Sequence, residues 1–249
     1  MRTVGVDLSA RDAKTWMATI DWSNGGATAS LERKVSDTAI IEATKRADKV
    51  GIDCPFGWPS EFVAFVQAHE ASNVDPQEPP GETWRKHLAN RETDLWVTQK
   101  TKLRPLSVSA DRIGHVAFRC AHLLAMMKQA AIIVDRSGGA GKVVEVYPAA
   151  TLKRWKYAHN GYKGGGPSLR AIAEQLLSDA PWLTMSADDR GLIAVNDDAF
   201  DALVAGFIPR AQALGLVERL TNAQRHTGTV EGWIALPVEG SFEKLAEPS

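Results

Sequence analysis

The chain has 249 residues, enough for one domain with a large insertion or for two small ones. Hydrophobic residues make up 44% and charged residues 24%, which excludes disordered, collagen-like and disulfide-scaffold chains. The net charge of −1 is a cancellation: residues 1–83 carry −5, 84–128 carry +6, 142–170 carry +5 and 171–249 carry −7, so arguments about partners must be local.

The first residues, Met1-Arg2-Thr3-Val4, turn directly into an apolar run and lack the long apolar core of a signal peptide. With no 18-residue apolar stretch, the expectation is a cytoplasmic protein with no membrane association. Cys54 and Cys120 both lie in apolar surroundings and read as buried free thiols.

Residues 3–8 form a strand whose last positions include Asp7. Residues 15–22 and 28–35 read as two more strands, joined by a hairpin through Ser23-Asn24-Gly25-Gly26. A short helix over 38–47 and a buried strand over 49–53, ending at Asp53, follow. The loop Cys54-Pro55-Phe56-Gly57-Trp58-Pro59 must turn sharply, and Ser60 is placed to cap a helix over 61–71.

Residues 73–83 read as loop, and 84–110 as a polar, basic, weakly periodic stretch. Asp111 is expected to cap a helix over 112–130. Residues 143–147 read as a strand, stopped by Pro148 at the start of a helix reaching about 158. A glycine-rich loop over 161–167 precedes a helix over 168–178, and Asn196 or Asp197 caps a helix over 198–214. Residues 230–236 read as a last strand. The early strands and the irregular alternation favour a mixed α/β sheet over a doubly wound one.

Asp7 and Asp53 end two apolar strands in similar contexts (VGV and VGI), while Asp198 and Asp201 share a face one helical turn apart. Asp201 sits in an otherwise apolar helix and is drawn inward with it. Buried carboxylates need a partner. Four of them converging would repel, and a pair of divalent cations would relieve that repulsion and activate water for attack on a phosphodiester. Singly, a strand-end aspartate reads more simply as a turn residue, and Asp198 as a first-turn acid favoured by the helix dipole.

This order resembles the RNase H-like fold, and within it the Holliday-junction resolvases, whose acids follow strands one and four and pair as Asp-x-x-Asp-Ala on the last helix. The matching positions are Asp7, Asp53, Asp198 and Asp201-Ala202. The second strand acid is often Glu in resolvases and is Asp53 here, a reach shorter by one methylene.

The segments VGVDLSA (4–10), GIDCPFGWP (51–59), RETD (91–94), EVYPAA (145–150), DDAFDALVAG (197–206) and EGWIALP (231–237) more closely resemble domain-of-unknown-function family 429. That resemblance implies a nuclease of the RNase H-like fold. The expectation is then a single domain over 1–249 with a mixed five-stranded sheet flanked by helices and a basic, mostly helical insertion at about 60–142. The function expected is hydrolysis of phosphodiester bonds in nucleic acid, DNA or RNA, with Asp7, Asp53, Asp198 and Asp201 holding two Mg²⁺ or Mn²⁺.

Glu145 alternates with Val144 and Val146 and is either a supporting metal ligand, an arginine partner or a solvent-facing edge residue. Arg91 can clamp a phosphate or pair with its own acidic neighbours. Lys100, Lys102, Arg104 and Arg112 lie in the basic surplus and are expected to hold the backbone, with binding that falls as salt is added. Trp84, Trp96, Trp155, Tyr157 and Tyr162 interleave with Arg85, Lys86, Lys100, Lys102, Arg104, Lys153, Arg154, Lys156 and Lys163 and read either as stacking platforms or as core. Lys163 in its glycine-rich loop lacks the Walker spacing of a phosphate loop.

Two other readings stay open. An actin-like phosphotransferase would share a first strand ending in Asp, but Leu8-Ser9-Ala10-Arg11 lacks the glycine that admits ATP phosphates, and the chain is short for a duplicated fold. A non-catalytic nucleic-acid or protein-binding member of the fold would show no Mn²⁺ uptake dependent on Asp7 and Asp53. Oligomeric state is not fixed by the sequence, a homodimer included.

Overall fold

A computed structural model describes residues 1–75 and 81–247. Six strands form one mixed sheet: β1 (Arg2–Asp7), β2 (Trp16–Ser23), β3 (Gly26–Arg33), β4 (Lys49–Asp53), β5 (Val143–Glu145) and β6 (Leu183–Thr184). Their order is β5-β4-β1-β2-β3-β6. β1 runs antiparallel to β2 and parallel to β4, in a register that sets Gly5 beside Gly51 and Asp7 beside Asp53. The first helix, α1 (Asp37–Arg46), is the crossover that makes this parallel pairing, and Ser36 caps it by accepting from the Ala39 N–H.

Between β4 and β5 the described residues form α2 (Ser60–Glu70), α3 (Glu82–Ala89), α4 (Glu92–Thr101) and α5 (Gly114–Gln129). Then come α6 (Pro148–Arg154), α7 (Pro167–Asp179), α8 (Ala187–Ile193), α9 (Asp197–Ala213) and α10 (Asn222–Glu231). Among the described residues no helix is long and apolar enough to cross a membrane.

The strand alternation divides the core into two. Val4, Val6, Val50 and Ile52 face α1 and α5, meeting Ile40, Ile41, Cys120 and Leu123. On the other face Ala18, Ile20 and Trp22 meet Phe200, Leu203 and Phe207 of α9. α9 is buried continuously from Ala199 to Ala211. It lies so close to the sheet that a Cβ on Gly5 would overlap the Ala202 carbonyl and the Gly206 amide, and one on Gly51 would overlap the Ala205 carbonyl. Pro209 lacks the N–H that would ordinarily bond Ala205, so that carbonyl faces Gly51 without its usual helical donor. The Thr3 hydroxyl adds a hydrogen bond to the Gly206 carbonyl at 2.8 Å.

Several sequence expectations are corrected. The sheet has six strands and not five, because the two residues of β6 add to the edge of β3, a segment too short for any periodicity to reveal. Residues 230–236 are not a strand. α10, started by a Thr221–Gln224 capping box, runs through Glu231, after which Ile234 makes one isolated bridge to Glu145. Ser60 is the first residue of α2 and does not cap it. Asp111 caps no helix: its carboxylate accepts from the Ser107 N–H and closes a turn ahead of α5. The polar stretch 84–110 holds most of α3 and all of α4, whose buried face includes Thr93, Asp94 and Thr101 and so carries little hydropathy signal. The expected loop at 73–83 gives way to α3 from Glu82, and its residues 76–80 lie outside the described residues.

Candidate metal centre

The register of β1 and β4 brings Asp7 and Asp53 side by side at adjacent strand ends. α9, pressed onto the glycines two residues earlier on both strands, delivers Asp201 from above. One carboxylate oxygen from each of Asp7, Asp53 and Asp201 lies within 4.8 Å of the others. Three acids separated by up to 194 positions in the chain thus meet through backbone packing.

Asp201 is fully buried. Burial, then the charges of Asp53 and Asp201, push the Asp7 carboxyl well above the usual range. Burial, then Asp201, pushes Asp53 up to about 7. Asp201 is also raised by burial, although Lys163 works against the shift. Three carboxylates met by one ammonium form an all-oxygen donor set of the kind that suits a hard divalent cation.

Asp198, half-buried on the first turn of α9, stands outside this three-acid group, yet its charge is felt by Asp7. Asn196 caps the helix by accepting from the Ala199 N–H, which leaves Asp198 free of that duty.

Glu145 is buried beside the cluster but is already engaged. Its carboxylate takes two bonds from Arg91, at 2.7 and 2.9 Å, and one from the Phe56 N–H at 3.0 Å. Arg91 is 1% exposed, and all five of its N–H donors are used, on Glu145, Asp94 and the Glu231 carbonyl. No donor remains for a phosphate. The carboxylate of Glu231, in turn, accepts from the Ser60 and Glu92 amides at the starts of α2 and α4. These groups tie the helices between β4 and β5 to the strand carrying Glu145.

What sequence reasoning missed is the place of Lys163 at the acids. Its ammonium donates to Asp201, whose second oxygen accepts from the Tyr162 hydroxyl at 2.9 Å. Burial pulls the lysine down in pKa, but Asp201 and Asp53 more than offset this and hold it charged. The surrounding loop is shaped by Gly161, Gly164, Gly165 and Gly166, all at positive φ, and the Gly164 N–H is held by Asp197 at 3.1 Å. A tyrosine–lysine pair amid four glycines was the available signal.

The other basic residues are scattered. Lys100 pairs with Glu218 at 3.2 Å, and Lys102 takes a left-handed conformation at the end of α4. Arg104 and Arg112 are exposed, with no ion pair among the described residues. Of the aromatic candidates, Trp155, Tyr157 and Tyr162 are core, and Trp96 packs on Trp233. Both cysteines are buried and free.

The acids open onto a cleft of about 490 Å³ that reaches from Asp7 and Asp53 to Leu106 and His159. A family model described as Protein of unknown function (DUF429) matches residues 5–225. The chain belongs to this family. The DUF429 match spans all four acids, Lys163 and the cleft apart from Ile234. Searches of curated proteins and of solved structures returned no match.

Proposed function

We propose that this DUF429 protein is a metal-dependent nuclease of RNase H-like fold that hydrolyses phosphodiester bonds. The observation that carries this reading is the meeting of three carboxylates from three elements at one point beside the cleft, countered among the described residues by one lysine on a glycine-rich loop. A strand-end turn residue or a helix cap has no need of such convergence.

Asp7, Asp53 and Asp201 would hold the first Mg²⁺ or Mn²⁺, and Asp198, on the same helix, would share in holding a second. When bound, these ions supply Lewis acidity toward the phosphoryl oxygens and lower the pKa of coordinated water. With a cation held by the cluster, Asp201 would no longer need its bond from Lys163, and that ammonium would be available to a substrate phosphate. Arg104 and Arg112 steady the neighbouring phosphates, while Arg91 and Glu145 hold the wall behind the acids.

The test is calorimetric Mn²⁺ titration together with incubation against single-stranded, duplex and branched DNA and RNA, for the native protein and Asp7→Asn. Native protein takes up Mn²⁺ and cleaves, and Asp7→Asn does neither. Equal cleavage by both proteins would mean a contaminant and sink the reading, and ATP turnover instead would move it to a phosphotransferase.

A further inference from the structure

The cleft beside the acids has a mixed lining. Leu8, Leu103, Pro105, Leu106, Ile113 and Val116 make an apolar part of it. His159, Asn160 and Lys163 contribute to its polar part. A site that only gripped a charged backbone would have no use for an apolar face within reach of Asp7 and Asp53. Leu106 is 56% exposed at the rim of that face, a leucine that the fold itself does not cover.

The supply of cations also limits what can bind. Part of the basic surplus of the middle segments is used inside the protein. Arg91 is saturated, and Arg119 is shared among Asp37, Asp12 and the 9–15 loop. Arg154 pairs with Glu218 and Glu239, Lys100 pairs with Glu218, and the Lys142 ammonium lies on carbonyls at the end of α1. These five cations are therefore already engaged and do not line a phosphate track. What remains at the cleft is local: Lys163 inside it, Arg104 between the lining residues Leu103 and Pro105, and Arg112 beside Ile113.

We infer that the cleft receives one unpaired nucleotide, its base laid on the apolar wall around Leu106 and its phosphate directed to the acid cluster and the flanking arginines. This rests on the metal-centre reading above, because the cation is what would draw the phosphate to the acids. The volume lies within the range of about 300–1,000 Å³ typical of small-ligand sites. A base can cover such a wall only when its faces and edges are released from the stack and from its pairing partner. The ligand chemistry is a nucleoside phosphate, whether a strand end or a free nucleotide. A closed duplex does not offer it.

The test follows binding of ethenoadenosine 5′-monophosphate by fluorescence anisotropy in Mg²⁺, with inorganic phosphate, a single-stranded trinucleotide and a closed hairpin duplex as competitors. The nucleotide should bind at least about tenfold tighter than phosphate, with the base contributing the difference. The trinucleotide should displace it at least about tenfold better than the hairpin. Displacement by trinucleotide that is tighter than by free nucleotide makes a strand end the source, and the reverse order makes it the free nucleotide; both support the inference.

Leu106→Asp should weaken the nucleotide about tenfold while leaving inorganic phosphate unchanged, and Leu106→Met should restore binding. Because Leu106 is already solvent-facing, the change does not empty the core. Unchanged nucleotide binding in Leu106→Asp, a hairpin that competes as well as the trinucleotide, or no binding of nucleotide beyond that of phosphate would each overturn it. Failure of the nuclease reading would look different: no hydrolysis in any arm, with this order of binding intact.

Discussion

The Lys163 ammonium reaches from a loop between α6 and α7 to a carboxylate oxygen of Asp201 on α9, inside a cluster completed by the ends of β1 and β4. Asp201 is buried, whereas the lysine side chain is 56% exposed. The counterion is thus held in place by charge more than by packing, and it comes from the more movable partner.

Replacing it should separate two effects. Lys163→Met removes the only lysine that donates to the cluster among the described residues, so the metal-free protein should lose about 1–2 kcal/mol, a buried-pair cost reduced for the solvent around the lysine. The same variant should gain Mn²⁺ affinity, because no ammonium competes for Asp201. Thermal denaturation with and without Mn²⁺ reads both, as a lower starting Tm and a larger metal-induced rise.

The acids set a pH dependence of definite sign. Burial followed by the charge of Asp201 raises Asp53 to about 7 in the folded chain, against 3.8 for an ordinary aspartate. Between those values the folded state holds the proton more tightly than the unfolded state. Stability of the metal-free protein should therefore fall as pH rises from about 4 to about 7 and level off above. Metal binding needs the deprotonated form, so Mn²⁺ affinity should climb over the same window and release protons as it binds. Denaturation midpoints and calorimetric titrations at pH 5, 6, 7 and 8 would reveal either trend, and a metal-free stability that rises with pH would contradict the assignment.

Glu145→Gln and Arg91→Met should be costly for the fold but not decisive for the metal. Each breaks a buried ion pair in which every donor and oxygen is spoken for. A loss of about 3–5 kcal/mol in urea denaturation is expected for Arg91→Met, which strands two carboxylates. Glu145→Gln should cost less, since Asp94 still neutralises the guanidinium. In material that stays folded, Mn²⁺ uptake should persist; its disappearance in Glu145→Gln would make that residue a ligand.

The glycines under α9 should differ sharply from one another. Gly5→Ala places a methyl group into helix backbone, which cannot yield, so little folded protein should be recovered. Gly206→Ala meets the Cδ1 of Ile20 at 2.8 Å, the end of a side chain that can turn away, and helix propensity partly compensates. A loss of about 1–3 kcal/mol in a folded protein is expected there. Expression yield and circular dichroism separate the two.

Salt dependence should be shallow. If Arg104 and Arg112 are the cations that meet phosphate from outside the cluster, the logarithmic slope for a single strand should be near −1.4, from about −0.7 for each phosphate neutralised. A slope steeper than about −4 in anisotropy titrations would require a longer basic track than these two residues provide.

Asp7, Asp53 and Asp201 were legible because each breaks an apolar pattern in a place where the element must be interior. The short helix α1 and the buried strand β4 followed from the same hydropathy, whereas the parallel pairing of β4 with β1 came only from the structure. Arg91 was ambiguous because RETD reads equally as an exposed helix start, and only the arrival of Glu145 and Glu231, 54 and 140 positions away, makes it core. α4 was hidden because three of its four buried residues are polar, with Asp94 accepting from the Arg91 N–H, Thr93 from the Ile234 N–H and Thr101 donating to the Val97 carbonyl. Lys163 could be noticed in its glycine loop, but its role depends on a carboxylate 38 positions later. β6 owes its existence to the edge of β3, not to anything in its own two residues.

The direct contact between α9 and the two strand glycines fixes where the carboxylates start. Main chain touches main chain at Gly5, Gly51 and Gly206, so the roots of the three carboxylates are spaced by backbone packing. Only the side chains beyond those roots are left to adjust. A substitution that swelled this seam would therefore move the acids relative to one another without touching any of them.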